Sequence, residues 1–139
     1  MQRTMSLTFI MTLLLLANLV GCSGRVGPGA VEKYNENPLT VAIPDGLSDE
    51  QVESVMKRTL AARGWQVTQA SPQQTDGVLT HRSFNAKVSL VANDGVIRIL
   101  SDSQYISRDT GQKRPGVPMG WLDNLQKDLN KRLAAAHEL

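Results

Sequence analysis

The chain is poor in the residues that most often carry chemistry. It has one cysteine, Cys22, and two histidines, His81 and His137, in 139 residues. A lone cysteine excludes an intramolecular disulfide. With it, two distant histidines lack both the number and the spacing of a zinc site, so neither a metal nor another cofactor is expected. Aromatic residues make up only 4% of the chain. Charge of one sign is missing as well: the formal net charge is +2 with Arg3 included, too small an excess to argue for a nucleic-acid partner. No glycine-rich phosphate loop is expected, since Gly27, Pro28 and Gly29 read as part of a tether and not of a strand-loop-helix unit. The Asp102-Ser103 pair lacks the G-x-S-x-G setting of an activated serine and reads instead as a strand end tied down by backbone hydrogen bonds. His81 reads as a partly buried packing residue at a sheet rim. No catalytic set emerges, and the domain is not expected to be an enzyme.

Long apolar runs are scarce too. The single one, Ile10 to Leu16 continued by Ala17, Leu19 and Val20, follows a short segment carrying Arg3. It is shorter than the roughly 20 apolar residues of a membrane-spanning helix and has the layout of a secretory signal. It ends in Leu19-Val20-Gly21-Cys22, which resembles the bacterial lipoprotein signal. That resemblance implies that residues 1–21 are removed and that the Cys22 thiol and the new amino terminus are acylated, palmitate-like chains included. Several chains make a firm anchor, since each buried CH₂ contributes about 0.8 kcal/mol. By the same analogy Ser23, where an inner-membrane protein would carry Asp, implies the periplasmic side of the outer membrane.

What remains is ordinary globular material, 41% hydrophobic and 20% charged, enough for one domain. Residues 22–38, rich in Gly, Asn and Pro, read as the lipidated cysteine and a flexible tether with a reach of about 20–25 Å. The domain is expected over 39–139. Leu39 to Ile43 alternates as a strand. Ser48 and Gln51 have capping-box spacing ahead of a stripe of Val52, Val55, Met56 and Leu60, and Gly64 supplies a left-handed stop, which predicts a helix between them. A strand follows at Trp65 to Thr68, a turn at Thr75-Asp76-Gly77, and runs at 78–83, 87–92 and 96–101, the last two joined by the hairpin turn Asn93-Asp94-Gly95. Residues 104–118 read as a loop. Leu122, Leu125, Leu129 and Leu133 then mark a second helix from about Met119, with Asp123–Lys127 and Asp128–Arg132 as exposed i,i+4 pairs. The expected fold class is α+β, a mostly antiparallel four- to five-stranded sheet with two helices packed on one face.

Strand parity places Leu79, Val88, Leu90, Ile97 and Ile99 toward the core. On the opposite face it gathers Gln66, Thr68, Thr80, Arg82, Lys87, Ser89 and Arg98. The cations Arg82, Lys87 and Arg98 are the candidate ligand-binding residues, for an anionic lipid or glycan of the envelope; the simpler reading is a solvated sheet face. Trp65 and Trp121 are expected to pack the helices onto the sheet.

Arg63-Gly64-Trp65, the strand around Val88 and Leu90, Asp102-Ser103, Tyr105, and Trp121 with Asn124-Leu125 resemble, in order and spacing, a family of small proteobacterial outer-membrane lipoproteins of unknown function. The likeness runs from about Val41 to Leu133 and departs at Ala92-Asn93 and Gly120. It implies the fold and the address but no catalytic residue. The leading expectation is a lipid-anchored envelope protein with a structural, assembly or protein-interaction role. The alternative is a module that binds an anionic envelope polymer or lipid.

Overall fold

The computed structural model describes residues 25–138; the signal segment and Cys22 lie outside the described residues. Within them the chain is α+β, with eight strands in an open antiparallel sheet and three helices. The centre is β5 (Phe84–Asn93), ten residues long. One of its edges pairs along its length with β4 (Gln74–His81), which in turn carries β3 (Gln66–Ala70). The other edge is shared by β6 (Val96–Ser101) and β7 (Gln104–Ile106), which keep one register across a break at Asp102-Ser103. Beyond them lie β2 (Thr40–Ala42) on β6 and β8 (Lys113–Val117) on β7, with β1 (Arg25–Val26) outermost on β8.

The local signals explain the two long helices. In α2 (Asp49–Ala62) the capping box forms: Ser48 Oγ accepts from Gln51 N–H at 3.1 Å, and Gln51 Oε1 accepts from Ser48 N–H at 2.8 Å. Gly64 lies at φ 82 just past the end, where a side chain would be strained. Its stripe of Val52, Val55, Met56 and Leu60 meets Leu122, Leu125, Leu129 and Leu133 of α3 (Met119–His137) over the Val88, Leu90, Ile97 and Ile99 face of the sheet. The β5–β6 turn has Asp94 at φ 51 and Gly95 at φ 75, the pair of positive values that a two-residue type I′ turn needs.

Several expectations are corrected. Residues 25–38 are not a tether: they form β1 and α1 (Ala30–Glu36), and Tyr34 is buried in the core. Its phenol donates to the Ile99 carbonyl at 2.7 Å and accepts from Leu39 N–H, while the Asn35 amide exchanges two hydrogen bonds with the Ser101 backbone. These side chains occupy the gap between β2 and β8, where the edge of β6 would otherwise carry buried, unpaired backbone groups. Thr75-Asp76-Gly77 is not a turn but lies within the first half of β4; the turn is at residues 71–73. Gly77 is there for close packing, since a Cβ on it would stand 3.1 Å from the Leu60 side chain. The expected loop over 104–118 contains the β7–β8 hairpin. Asp128 is bound not by Arg132 but by Arg63 at the end of α2, at 2.7 and 3.2 Å. That guanidinium, mainly through its hydrogen bond, holds the Asp128 carboxyl below the usual carboxylate range. The sheet and helix counts therefore exceed the expected four to five and two.

Candidate functional site

Of the seven residues expected on the open face, the register puts Gln66, Thr80, Lys87, Ser89 and Arg98 there, with Thr68 beside the irregularity between Val67 and Gln69. Lys87 and Arg98 are separated by four residues along β5 and one strand spacing, roughly 14 Å. Lys87 stands in a shallow hollow of about 430 Å³ that Asp76 and Asp102 also line, so negative charge is mixed into this face. It also carries Val78, Val91, Val96 and Leu100, all half-buried. Arg82 leaves the group. It sits in the two-residue β4–β5 turn at φ 54 and lines a different cavity at the end of the sheet.

That cavity is where the scarce aromatics converge. Phe84 at the start of β5 faces Tyr105 of β7, their ring centres 5.6 Å apart, and Trp121 of α3 at 5.8 Å. Trp121 also meets Trp65 edge-on at 6.2 Å and His81 at 6.3 Å. Gly116 in β8 makes the arrangement possible, because a Cβ there would stand 3.1 Å from both Phe84 and Tyr105 and 3.2 Å from the Tyr105 backbone nitrogen. The result is a cleft of about 330 Å³ with Phe84, Tyr105 and Val26 on one side and Pro118, Met119 and Trp121 on the other. Arg82 and Arg108 stand at its rim and no acidic residue lines it. The rim is built by the β7–β8 loop, tied to the β4–β5 turn by Ile106 N–H to the Ser83 carbonyl at 2.7 Å and Arg108 Nε to Ser83 Oγ at 3.3 Å. An apolar, aromatic cleft with two guanidinium groups at its mouth suits a ligand that is part apolar and part anionic.

On the far side of Trp121 lies a second cleft of about 350 Å³, lined by Arg63, Trp65, Leu79, His81 and Asn124. Trp65 is buried and packs the helices onto the sheet as expected. Trp121 is only half-buried and forms the wall between the two clefts. His81, expected to be partly buried, is exposed.

Asp102, Ser103 and His81 are not brought together. Ser103 is buried, and its hydroxyl accepts from Lys87 N–H at 3.1 Å, donates to the Lys87 carbonyl at 3.2 Å and contacts Ser101 Oγ at 2.9 Å. It repairs the ladder where the strand breaks, which is the structural role its position in the sequence suggested. Sequence reasoning missed Phe84, Arg108, Met119 and Val26 as parts of a site. The one available signal was the rarity of aromatics combined with their placement at the ends of elements.

Among the described residues no group of His, Cys, Asp and Glu could hold a metal ion, and no helix is long and apolar enough to cross a membrane. Comparison with family models, curated proteins and solved structures finds no match to this chain.

Proposed function

We propose that this chain is a lipid-anchored envelope protein, held by acylated Cys22 on the periplasmic side of the outer membrane, whose domain acts by binding in a structural or assembly role and catalyses no reaction. The observation that carries the reading is Leu19-Val20-Gly21-Cys22 placed directly after the one long apolar run. It is the arrangement of the small proteobacterial lipoproteins that the domain also resembles. The aromatic cleft adds a surface suited to binding, and Ser103, the serine that invited a catalytic role, has its hydroxyl committed to the Lys87 backbone.

The test is Cys22→Ser in cells. Acyl labelling is expected to disappear, and precursor retaining residues 1–21 to accumulate. Labelling and membrane fractionation equal to the parent would overturn the anchor. The alternative, an anionic ligand on the sheet face, now rests on Lys87 and Arg98 without Arg82. Retention on purified envelope material that is unchanged in Lys87→Gln/Arg98→Gln would remove it.

A further inference from the structure

Two features far apart in the sequence meet at one end of the fold: β1, the strand that follows Cys22 most closely, and the aromatic cleft. Val26 of β1 lines the cleft and, at 42% exposed, is the large apolar residue left open to solvent among the described residues. Its neighbour Arg25 is fixed in the sheet by pairing with Val117. Cys22 precedes Arg25 by three residues, so an extended backbone separates them by at most about 11 Å. A sixteen-residue tether would let the domain turn freely above the bilayer; a three-residue link does not. Acyl chains on Cys22 thus bring β1, and the cleft beside it, to the level of the lipid headgroups.

The chemistry of this end fits that position. From Gln104 to Trp121 the chain carries Arg108, Lys113 and Arg114 against Asp109 alone, and Arg25 and Arg82 add to the excess. Guanidinium groups bind phosphate in a bidentate manner. Tryptophan and tyrosine favour the boundary between headgroups and acyl chains. Arg82 lies in the tight two-residue β4–β5 turn at φ 54, the positive value that such a hairpin turn needs, and this turn sets it at the cleft.

We infer that the cleft end of the domain docks on the anionic lipid surface that carries the anchor, with Arg82 and Arg108 on headgroup phosphates and Val26, Tyr105 and Trp121 at the glycerol level. The inference rests on the lipid-anchor reading and goes beyond it by fixing the orientation of the domain.

The test uses the acylated full-length protein in phosphatidylcholine vesicles with or without phosphatidylglycerol. A spin label is placed at Gly120→Cys, where an added Cβ meets nothing within 4 Å, or at Gln73→Cys in the β3–β4 turn. Gln73 bonds Ala92 and so lies roughly 25 Å along β5 from Phe84. On phosphatidylglycerol vesicles the label at 120 is expected to relax with oxygen in the lipid and to be shielded from a water-soluble nickel chelate, with the reverse at 73. Arg82→Gln with Arg108→Gln is expected to lower the docked-to-undocked ratio roughly thirty-fold, the effect of removing two cations near an anionic surface, while the protein still floats with the vesicles.

A floating protein whose label at 120 is as wet as that at 73 overturns the docking and leaves the anchor intact. Docking unchanged by the two glutamines overturns the assignment of phosphate to these arginines. A label at 120 that is wet on vesicles but shielded in whole envelope fractions gives the cleft to a protein partner and overturns the lipid assignment. A protein with no acyl mass that fails to float overturns the anchor, and the docking with it.

Discussion

Tyr34 shows how much of this fold one side chain can hold. Its hydroxyl serves the Ile99 carbonyl and the Leu39 N–H together, and burial, the largest influence on it, pushes the phenol up to about 12. An unfolded tyrosine ionises near pH 10, so the folded form keeps its proton where the unfolded form releases it. The contribution of Tyr34 is therefore complete below about pH 10 and is lost as pH rises toward 12. Tyr34→Phe is expected to cost about 1–2 kcal/mol at neutral pH, because Ile99 and Leu39 lose a partner. It is also expected to flatten the fall in stability between pH 10 and 12, as read from urea midpoints across that range. Thr75 is the opposite case. It is fully buried on the core side of β4, and its hydroxyl has no hydrogen-bond partner. Thr75→Val keeps the shape and removes an unpaired polar atom, so a gain of about 1 kcal/mol is expected, seen as a higher thermal midpoint.

At the level of elements, the break between β6 and β7 is the most instructive feature. Asp102 N–H still donates to the Lys87 carbonyl at 3.0 Å, but the return bond from Lys87 N–H goes to Ser103 Oγ instead of a backbone carbonyl. Ser103→Ala removes that acceptor in a buried setting and is expected to destabilise by about 1–3 kcal/mol. Amide exchange should speed up first at Lys87, whereas a substitution of the exposed Lys87 side chain should leave that protection unchanged. The elements legible in the sequence were those with complete local signals: α2 between its capping box and Gly64, the Asp94-Gly95 hairpin, and α3 from its leucine stripe. The elements that escaped were short and lacked periodicity. Pro115 and Gly116 disguise β8, Gly and Asn disguise α1, and Asp76-Gly77 imitates a turn within β4. α1 and the Asp76-Gly77 stretch of β4 are held by partners more than ten residues away, and β8 by distant β1 as well as by its hairpin with β7, which local composition does not reveal.

For the molecule as a whole, the folded unit reaches upstream of Leu39 to include β1 and α1. A chain starting at Leu39 would lack Tyr34 and Asn35 and so leave the Ile99 and Ser101 backbone groups at the β6 edge without their partners. It is expected to unfold at lower temperature and with less cooperativity than one starting at Ser23, in a comparison by circular dichroism and calorimetry. Retention of the full midpoint by the shorter chain would restore the tether.

The candidate site divides along the same line. The cations were legible one by one, and strict alternation along β5 and β6 placed Lys87 and Arg98 correctly. Arg82 could not be placed, because the β4–β5 turn falls where strand alternation ends. The aromatic cleft was beyond reach for a different reason: Phe84, Tyr105 and Trp121 sit on three separate elements and meet only after β7 crosses to β5 and α3 folds back over both.

By itself the sequence determined the α+β class, the core faces of the two long helices, the tight β5–β6 hairpin and the expectation of an anchor at Cys22. Those depend on periodicity and on neighbours a few residues apart. Tertiary structure alone decided that residues 25–38 belong to the domain, that Asp128 answers to Arg63, and that two arginines and four aromatics gather at one end of the sheet. Those depend on long-range pairing, in which buried backbone groups and unfilled space select partners that no local pattern specifies.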